Sequence, residues 1–177
     1  MEIIKDQYFE GERPLYARHG LTLDHIVFGP GESAVKEGSD IEAENCEFQG
    51  KYPFWECRNV TVRNCLFREG SRAAIWYSKD CRMQDCLVEA PKMFRRISDV
   101  RLENVKFPYA LETFWDCKDI EAKDIAVEQG DYLFMHSPLS RSTVSGAGAI
   151  TPSSTPRTSS SGMRTWRPRM PSGKPRT

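Results

Sequence analysis

The chain has 177 residues, of which 39% are hydrophobic and 28% are charged, a size and composition that suit one folded domain. Its 25 basic and 25 acidic residues balance, but every acidic residue precedes residue 138, so residues 1–137 carry a net charge of −7 and residues 138–177 carry +7. No charged-then-apolar signal stands at the N-terminus, and no apolar run is long enough to cross a bilayer. We therefore expect a soluble cytoplasmic protein without membrane contact, with its core confined to residues 1–137.

Residues 1–20 precede the first recognisable repeat. They contain the apolar residues Ile3, Ile4, Tyr8 and Phe9. Because the terminal unit of a repeat protein must be covered from outside, this segment is predicted to be an N-terminal cap.

A short motif then recurs six times between residues 21 and 137. The motif begins with two apolar residues that alternate with polar ones. Asn or Asp, or His in the first copy, stands two residues after the second apolar residue. Two further apolar positions complete the motif. The copies begin at Leu21, Ile41, Val60, Cys81, Val100 and Ile120. Their period of about 20 residues is typical of a solenoid with one repeat per coil.

The alternation predicts short strands, and the Asn or Asp predicts a turn, because these side chains tolerate left-handed backbone. Gly or Pro follows early in the rest of each repeat. The predicted fold is all-β: a single-stranded right-handed parallel β-helix of about 20-residue coils stacked about 4.8 Å apart. A leucine-rich repeat, which has a similar period, is the alternative. The segments between strands lack the apolar spacing of helices, which favours the β-helix.

The six cysteines fall at small inward positions of the repeat and show no CxxC or Cys/His spacing. We interpret them as buried, reduced core residues, because free cysteine is a small apolar side chain and the cytosol keeps thiols reduced. The three histidines have no nucleophile or ligand at a readable spacing. We therefore predict no metal site and no cofactor.

The candidate site is a column of residues four positions before the second Asn or Asp of each coil. The column reads Lys36, Trp55, Trp76, Arg95, Trp115 and then Phe134, and Lys92 and Glu112 lie beside it. If it faces outward, the indole rings form a platform for ring-shaped ligands and the cations attract anions. If it faces inward, it is aromatic packing. Neighbouring carboxylates could serve acid–base chemistry, but no spacing selects a pair.

Several segments resemble a bacterial domain-of-unknown-function family, family 3737. The resemblance covers residues 1–137 and is carried by the segments 9–15, 48–55, 90–95 and 110–115. It implies a pectin-lyase-like right-handed β-helix but no established activity or catalytic residues. We predict binding of a carbohydrate or a similar ligand on an exposed aromatic and charged face. The alternatives are a carbohydrate-active lyase or hydrolase and a non-catalytic structural or protein-interaction solenoid.

Residues 138–177 are predicted to form a disordered tail. They contain 25 Gly, Pro, Ser and Thr among 40 residues, and Arg141 stands where an inward apolar residue belongs. Reverse-translated and read one nucleotide earlier, residues 158–177 can spell a full repeat. We hypothesise a frameshift near Ser137 or Pro138, which would leave the last coil uncapped and prone to self-association through an open C-terminal edge. The alternative is a genuine basic tail that contacts nucleic acid or another acidic partner, which we consider the less favoured interpretation.

Overall fold

Strands dominate the protein. The computed structural model describes the backbone of residues 1–146 and 150–151 and the side chains of residues 1–139. In chain order the strands are β1 (Glu2–Lys5), β2 (Tyr8–Glu12), β3 (His19–Asp24), β4 (Val27–Glu32), β5 (Ser39–Glu44), β6 (Glu47–Phe48), β7 (Arg58–Arg63), β8 (Leu66–Phe67), β9 (Lys79–Gln84), β10 (Leu87–Val88), β11 (Ser98–Glu103), β12 (Lys106–Tyr109), β13 (Lys118–Asp131), β14 (Leu139–Gly146) and β15 (Ile150–Thr151). A 3-10 turn at Glu69–Ser71 is the one helical segment in this described part, which thus contains no helix able to cross a membrane.

Each strand pairs in parallel with the equivalent strand one repeat later. The sheet order runs from β1 through the odd-numbered strands to β13 and returns through the even-numbered strands to β2. Ile41 pairs with Val60 and Val60 with Cys81, so the pairing partners are one repeat apart. The predicted parallel β-helix is confirmed, and the leucine-rich-repeat alternative is wrong, because residues 1–146 and 150–151 contain no α-helix to pack against the strands.

The repeated Asn and Asp residues form the predicted turn ladder. Their φ angles lie between 49° and 55°, the left-handed region that Asn and Asp tolerate better than other side chains, at Asn45, Asn64, Asp85, Asn104 and Asp124. The amide of Asn64 donates to Asn45 Oδ1 at 2.6 Å, and that of Asn104 donates to Asp85 Oδ1 at 2.6 Å. The same side chain that permits the turn therefore also links neighbouring coils.

The core is a set of stacked side chains along the solenoid axis. Phe48 is fully buried and stacks between Phe28 and Phe67, with ring centroids 5.1 and 4.8 Å away. All six cysteines are free and buried, as predicted, and the backbone N–H of Cys46 points at Cys65 Sγ 3.3 Å away. Equivalent positions thus hold equivalent side chains from coil to coil.

The N-terminal segment forms a further coil, which lies over the first recognised repeat. Glu2 pairs with Leu21 and Ile4 with Leu23, so β1 occupies the motif position in register. The sequence motif is not apparent in this coil because Glu2 stands where the other coils carry an apolar residue. Its carboxylate is instead paired with Arg18 at 2.5 Å.

At the C-terminal end the regular register breaks. β14 pairs with β13, with irregularities after Ile120 and between Ala122 and Ile125. The segment predicted as a tail therefore begins with strand residues at 139–146. The rest of that prediction, at residues 147–149 and 152–177, lies outside the described residues, as does the chain that would cover or leave open a C-terminal edge.

Candidate functional site

Alternating backbone conformations place the predicted column on the outer surface. The residues on either side of Trp55 and of Trp76 have positive φ, between 56° and 58°. This alternation turns Phe54 and Ile75 into the core, where both are fully buried, and leaves the two indoles half-buried at the surface. Single parallel bridges join Lys36 to Trp55, Trp76 to Arg95 and Arg95 to Trp115, so the column is aligned across five coils.

The aromatic column is defined as Lys36, Trp55, Trp76, Arg95 and Trp115, and the side chains of its last four members stack on one another. The rings of Trp55 and Trp76 have centroids 5.2 Å apart and a 30° interplanar angle. The guanidinium carbon of Arg95 lies 4.2 Å from the ring centroid of Trp76 and 4.5 Å from that of Trp115. Because Trp55 and Arg95 cover the two faces of the Trp76 indole, the edge of that ring is what remains for a ligand.

The indole nitrogens are also used within the fold. Trp76 Nε1 donates to the carbonyl of Lys92 at 2.7 Å, and Trp115 Nε1 donates to the carbonyl of Tyr132 at 2.6 Å. These bonds hold each ring against the following coil. The rings are consequently pre-oriented, a condition that lowers the entropy cost of binding any ligand to them.

Charged groups converge at the C-terminal half of the aromatic column. Lys92 Nζ and Arg95 Nη2 lie 3.2 and 3.6 Å from the same oxygen, Glu112 Oε2. Two cations therefore share one carboxylate and leave a local excess of positive charge. Arg95 Nε is buried without a hydrogen-bond partner, so stacking and the ion pair hold this guanidinium in place.

The structure brings together all seven predicted site residues along one corner of the solenoid, with Lys36 and Trp55 at one end and Lys92, Arg95, Glu112 and Trp115 at the other. The predicted extension to Phe134 is wrong. Phe134 stacks on the core residue Phe114 at 4.8 Å and 5°, and Met135 follows Trp115, since its carbonyl accepts the N–H of Asp116 at 2.8 Å.

The column extends one coil further towards the N-terminus than predicted, to Tyr16. Ala17 N donates to Lys36 O at 2.8 Å, which aligns Tyr16 with Lys36, and the Tyr16 hydroxyl donates to Glu37 at 2.7 Å. Counting one repeat back from Lys36 would have found it. Tyr77, which is 41% exposed and whose ring lies 5.3 Å from that of Trp55, adds an exposed ring beside the indole edges.

The charged side chains of this surface pair with one another, Lys36 with Glu37 and both Lys92 and Arg95 with Glu112. Glu112, the carboxylate beside Arg95, is held by two cations. Among the described residues no group of His, Cys, Asp and Glu is arranged to hold a metal ion. A separate depression of about 660 Å³ lies on the outer face of β7, β9, β11 and β13, where Arg101 pairs with Glu121 at 3.4 Å. It shares no residue with the aromatic column.

Comparison with known proteins gives one match. The sequence model of a family described as "Protein of unknown function (DUF3737)" matches residues 2–142, which is more than half of the chain. Neither the curated proteins nor the solved structures contain a match.

Proposed function

The chain belongs to this DUF3737 family, and we propose that it binds an extended carbohydrate, or a similar chain of polar rings, along the edge of the aromatic column. The observation that carries the proposal is the aligned column from Lys36 to Trp115, in which Trp55, Trp76, Arg95 and Trp115 stack in turn and the indoles are half-buried at the surface. Five aligned residues at a coil spacing of about 4.8 Å give a strip about 19 Å long. A strip of this length suits several consecutive rings of an oligosaccharide.

The contacts expected from this geometry differ from those of a flat stacking platform. The faces of Trp76 are occupied by Trp55 and Arg95, so the ligand would lie against the indole edges and the exposed ring of Tyr77. Lys36 and the pair Lys92 and Arg95 supply hydrogen-bond donors at the two ends. Aromatic contacts with a few convergent polar groups are typical of ligand sites.

The direct experiment is a glycan array probed with the full chain, followed by calorimetric titration of the strongest hit. The double variant Lys36→Gln/Lys92→Gln removes two ammonium charges beside the stacked rings without altering the indoles, and we expect it to weaken binding at least about tenfold. The matched control is Arg101→Gln/Lys123→Gln, which removes the same charge from the outer face of β11 and β13 and should leave affinity unchanged. Affinity should also rise with oligosaccharide length and level off when the strip is filled.

Two results would contradict the proposal. If the array shows no binding, the stacked indoles serve the fold alone, and the protein is a structural or protein-interaction solenoid. If both double variants lose affinity equally, the attraction is a general charge effect rather than a site. If the unmodified chain cleaves the bound glycan, the protein is an enzyme rather than a non-catalytic binding protein.

Two further proposals concern the context of this site. We place the protein in the cytoplasm, supported by six free cysteines that are buried and unbridged. The frameshift near Ser137 or Pro138 is supported by the regular parallel register up to β13 and its interruption at β14. The nucleotide sequence tests it, because an earlier reading frame closed by stop codons or lacking the repeat would contradict it.

A further inference from the structure

The first coil contributes two edge strands to the sheet. The path of paired strands begins at β1 and ends at β2, while β14 and β15 pair with β13 at the other end of the solenoid. The stacked core phenylalanines, here called the Phe ladder, end at the first coil with Phe9, whose ring centroid lies 5.6 Å from that of Phe28. Among the described residues, the N-terminal coil thus presents the solenoid interior and an unpaired strand edge at one surface.

This end also concentrates exposed apolar side chains. Of the eight large hydrophobic residues exposed in the described part, four belong to the first coil: Met1, Ile3, Tyr8 and Tyr16. Ile3 is 71% exposed and points outward, because Ile4 beside it is the buried residue of β1. The residues aligned with Ile3 in the following coils are all polar: Thr22, Glu42, Thr61, Arg82, Arg101 and Glu121. An apolar residue in this row therefore has no role in the core of its own chain.

The backbone of β1 is arranged to accept a further strand. Asp6 N donates to Asp24 O at 3.0 Å, towards β3. The carbonyl of Lys5, in the same peptide group, consequently points away from β3. Since successive residues of a strand direct their polar groups to alternate sides, Ile3 and Lys5 present both N–H and C=O at the free edge.

Charge at this end permits two copies to approach. Residues 1–18 carry four acidic and three basic residues, a net charge of −1, so two copies meet here with little mutual repulsion. Glu2 faces the open end, but Arg18 of the same chain already pairs with it at 2.5 Å. Contact at Glu2 would therefore bury a carboxylate that already has an ion-pair partner.

From these observations we propose that a second copy of this chain docks on the first coil, with β1 pairing antiparallel to its counterpart about a two-fold axis at Ile3. An isologous pairing closes on itself and stops at a dimer. Ile3 opposite its symmetry mate forms a hydrogen-bonded pair, and both isoleucines lie on the same face of the joined sheet. The contact satisfies the free edge and covers Ile3 and the exposed end of the Phe ladder in one step. It lies at the opposite end of the solenoid from the predicted open C-terminal edge.

The decisive experiment is cysteine cross-linking of the full chain. Directly opposed residues of a hydrogen-bonded antiparallel pair have Cα atoms about 5.5 Å apart, within the range a disulfide can span. Under mild oxidation the Ile3→Cys variant should give a covalent dimer on a non-reducing gel. The native cysteines are all buried and should not contribute. Leu87→Cys, placed at a 36% exposed residue of β10, is the matched control and should stay monomeric on the gel.

Sedimentation equilibrium supplies an independent measurement. Ile3→Lys places two like charges opposite each other and should raise the dimer dissociation constant at least about tenfold, while Leu87→Lys should not change it. Circular dichroism of Ile3→Lys checks that the fold is kept, as expected for an exposed position. A monomeric unmodified chain, a dimer indifferent to Ile3→Lys, or larger head-to-tail assemblies without the cross-link at position 3 would each overturn the proposal.

Discussion

Replacing Arg95 tests whether the aromatic column holds itself together. Its guanidinium contacts two indoles, at 4.2 and 4.5 Å from their centroids, and its side chain is 23% exposed. A cation–π contact contributes about 0.5–1 kcal/mol at exposed sites and about 2 kcal/mol when desolvated. With two such contacts of intermediate burial, Arg95→Ala should lower the free energy of unfolding by about 2 kcal/mol.

A second substitution separates the charge from the packing. Arg95→Met keeps an unbranched stem and a sulfur between the rings, where sulfur–aromatic contacts contribute about 0.3–1.5 kcal/mol, so its cost should be about 1 kcal/mol. Urea unfolding followed by far-UV circular dichroism measures both values. Arg101→Ala, at a 62% exposed side chain of β11, is the control and should change stability by less than about 0.5 kcal/mol. A cost for Arg95→Ala no larger than this control would refute the assigned role of the stacked guanidinium.

Three further predictions concern the turns, the acid response and the thiols. Asn64→Ala should cost about 1–2 kcal/mol, because alanine is strained at φ 49°, whereas Asn64→Gly should cost less; equal losses in urea unfolding would contradict this. The hydrogen bond from Lys5 helps hold the pKa of Asp24 at about 2, below its usual 3.8. The stabilising effect of the ionised Asp24 carboxylate is therefore present above about pH 5 and lost as the pH falls towards 2; Asp24→Asn should show a smaller loss over this window, and an unchanged acid profile would count against the interaction. Burial raises the pKa of Cys57 to about 12 and that of Cys117 to about 11, so at pH 8 these two cysteines of the native protein should not react with a thiol reagent that labels them in urea.

The candidate site could be predicted in composition but not in the contacts of its side chains. Register alone aligned Lys36, Trp55, Trp76, Arg95 and Trp115, because each lies a constant distance before an Asn or Asp turn. The sequence could not say that the indoles would cover one another and that their N–H groups would bond to the next coil. Ring orientation depends on contacts between residues one repeat apart, and no local pattern records it.

The repeat and the features tied to its local chemistry could be predicted from the residue types alone. The turn at Asn64, the inward position of Phe48 and the burial of Cys65 follow from residue types whose backbone and solvation preferences act within a few residues. These preferences recur in every coil, so the period and the parallel register were predictable.

The folded chain determines which departures from the pattern are tolerated. It accepts Glu2 at a position held by leucine in the next coil, because Arg18, at the far end of the first coil in the sequence, lies within ion-pair distance once the coil closes. It places Phe134 rather than Met135 on Phe114, because ring stacking between adjacent coils selects the alignment. The physical reason is common to both cases. In a solenoid, many of the contacts of a residue come from the adjacent coil. Those contacts form only when the chain has folded, because the residues are about 20 positions apart in the sequence.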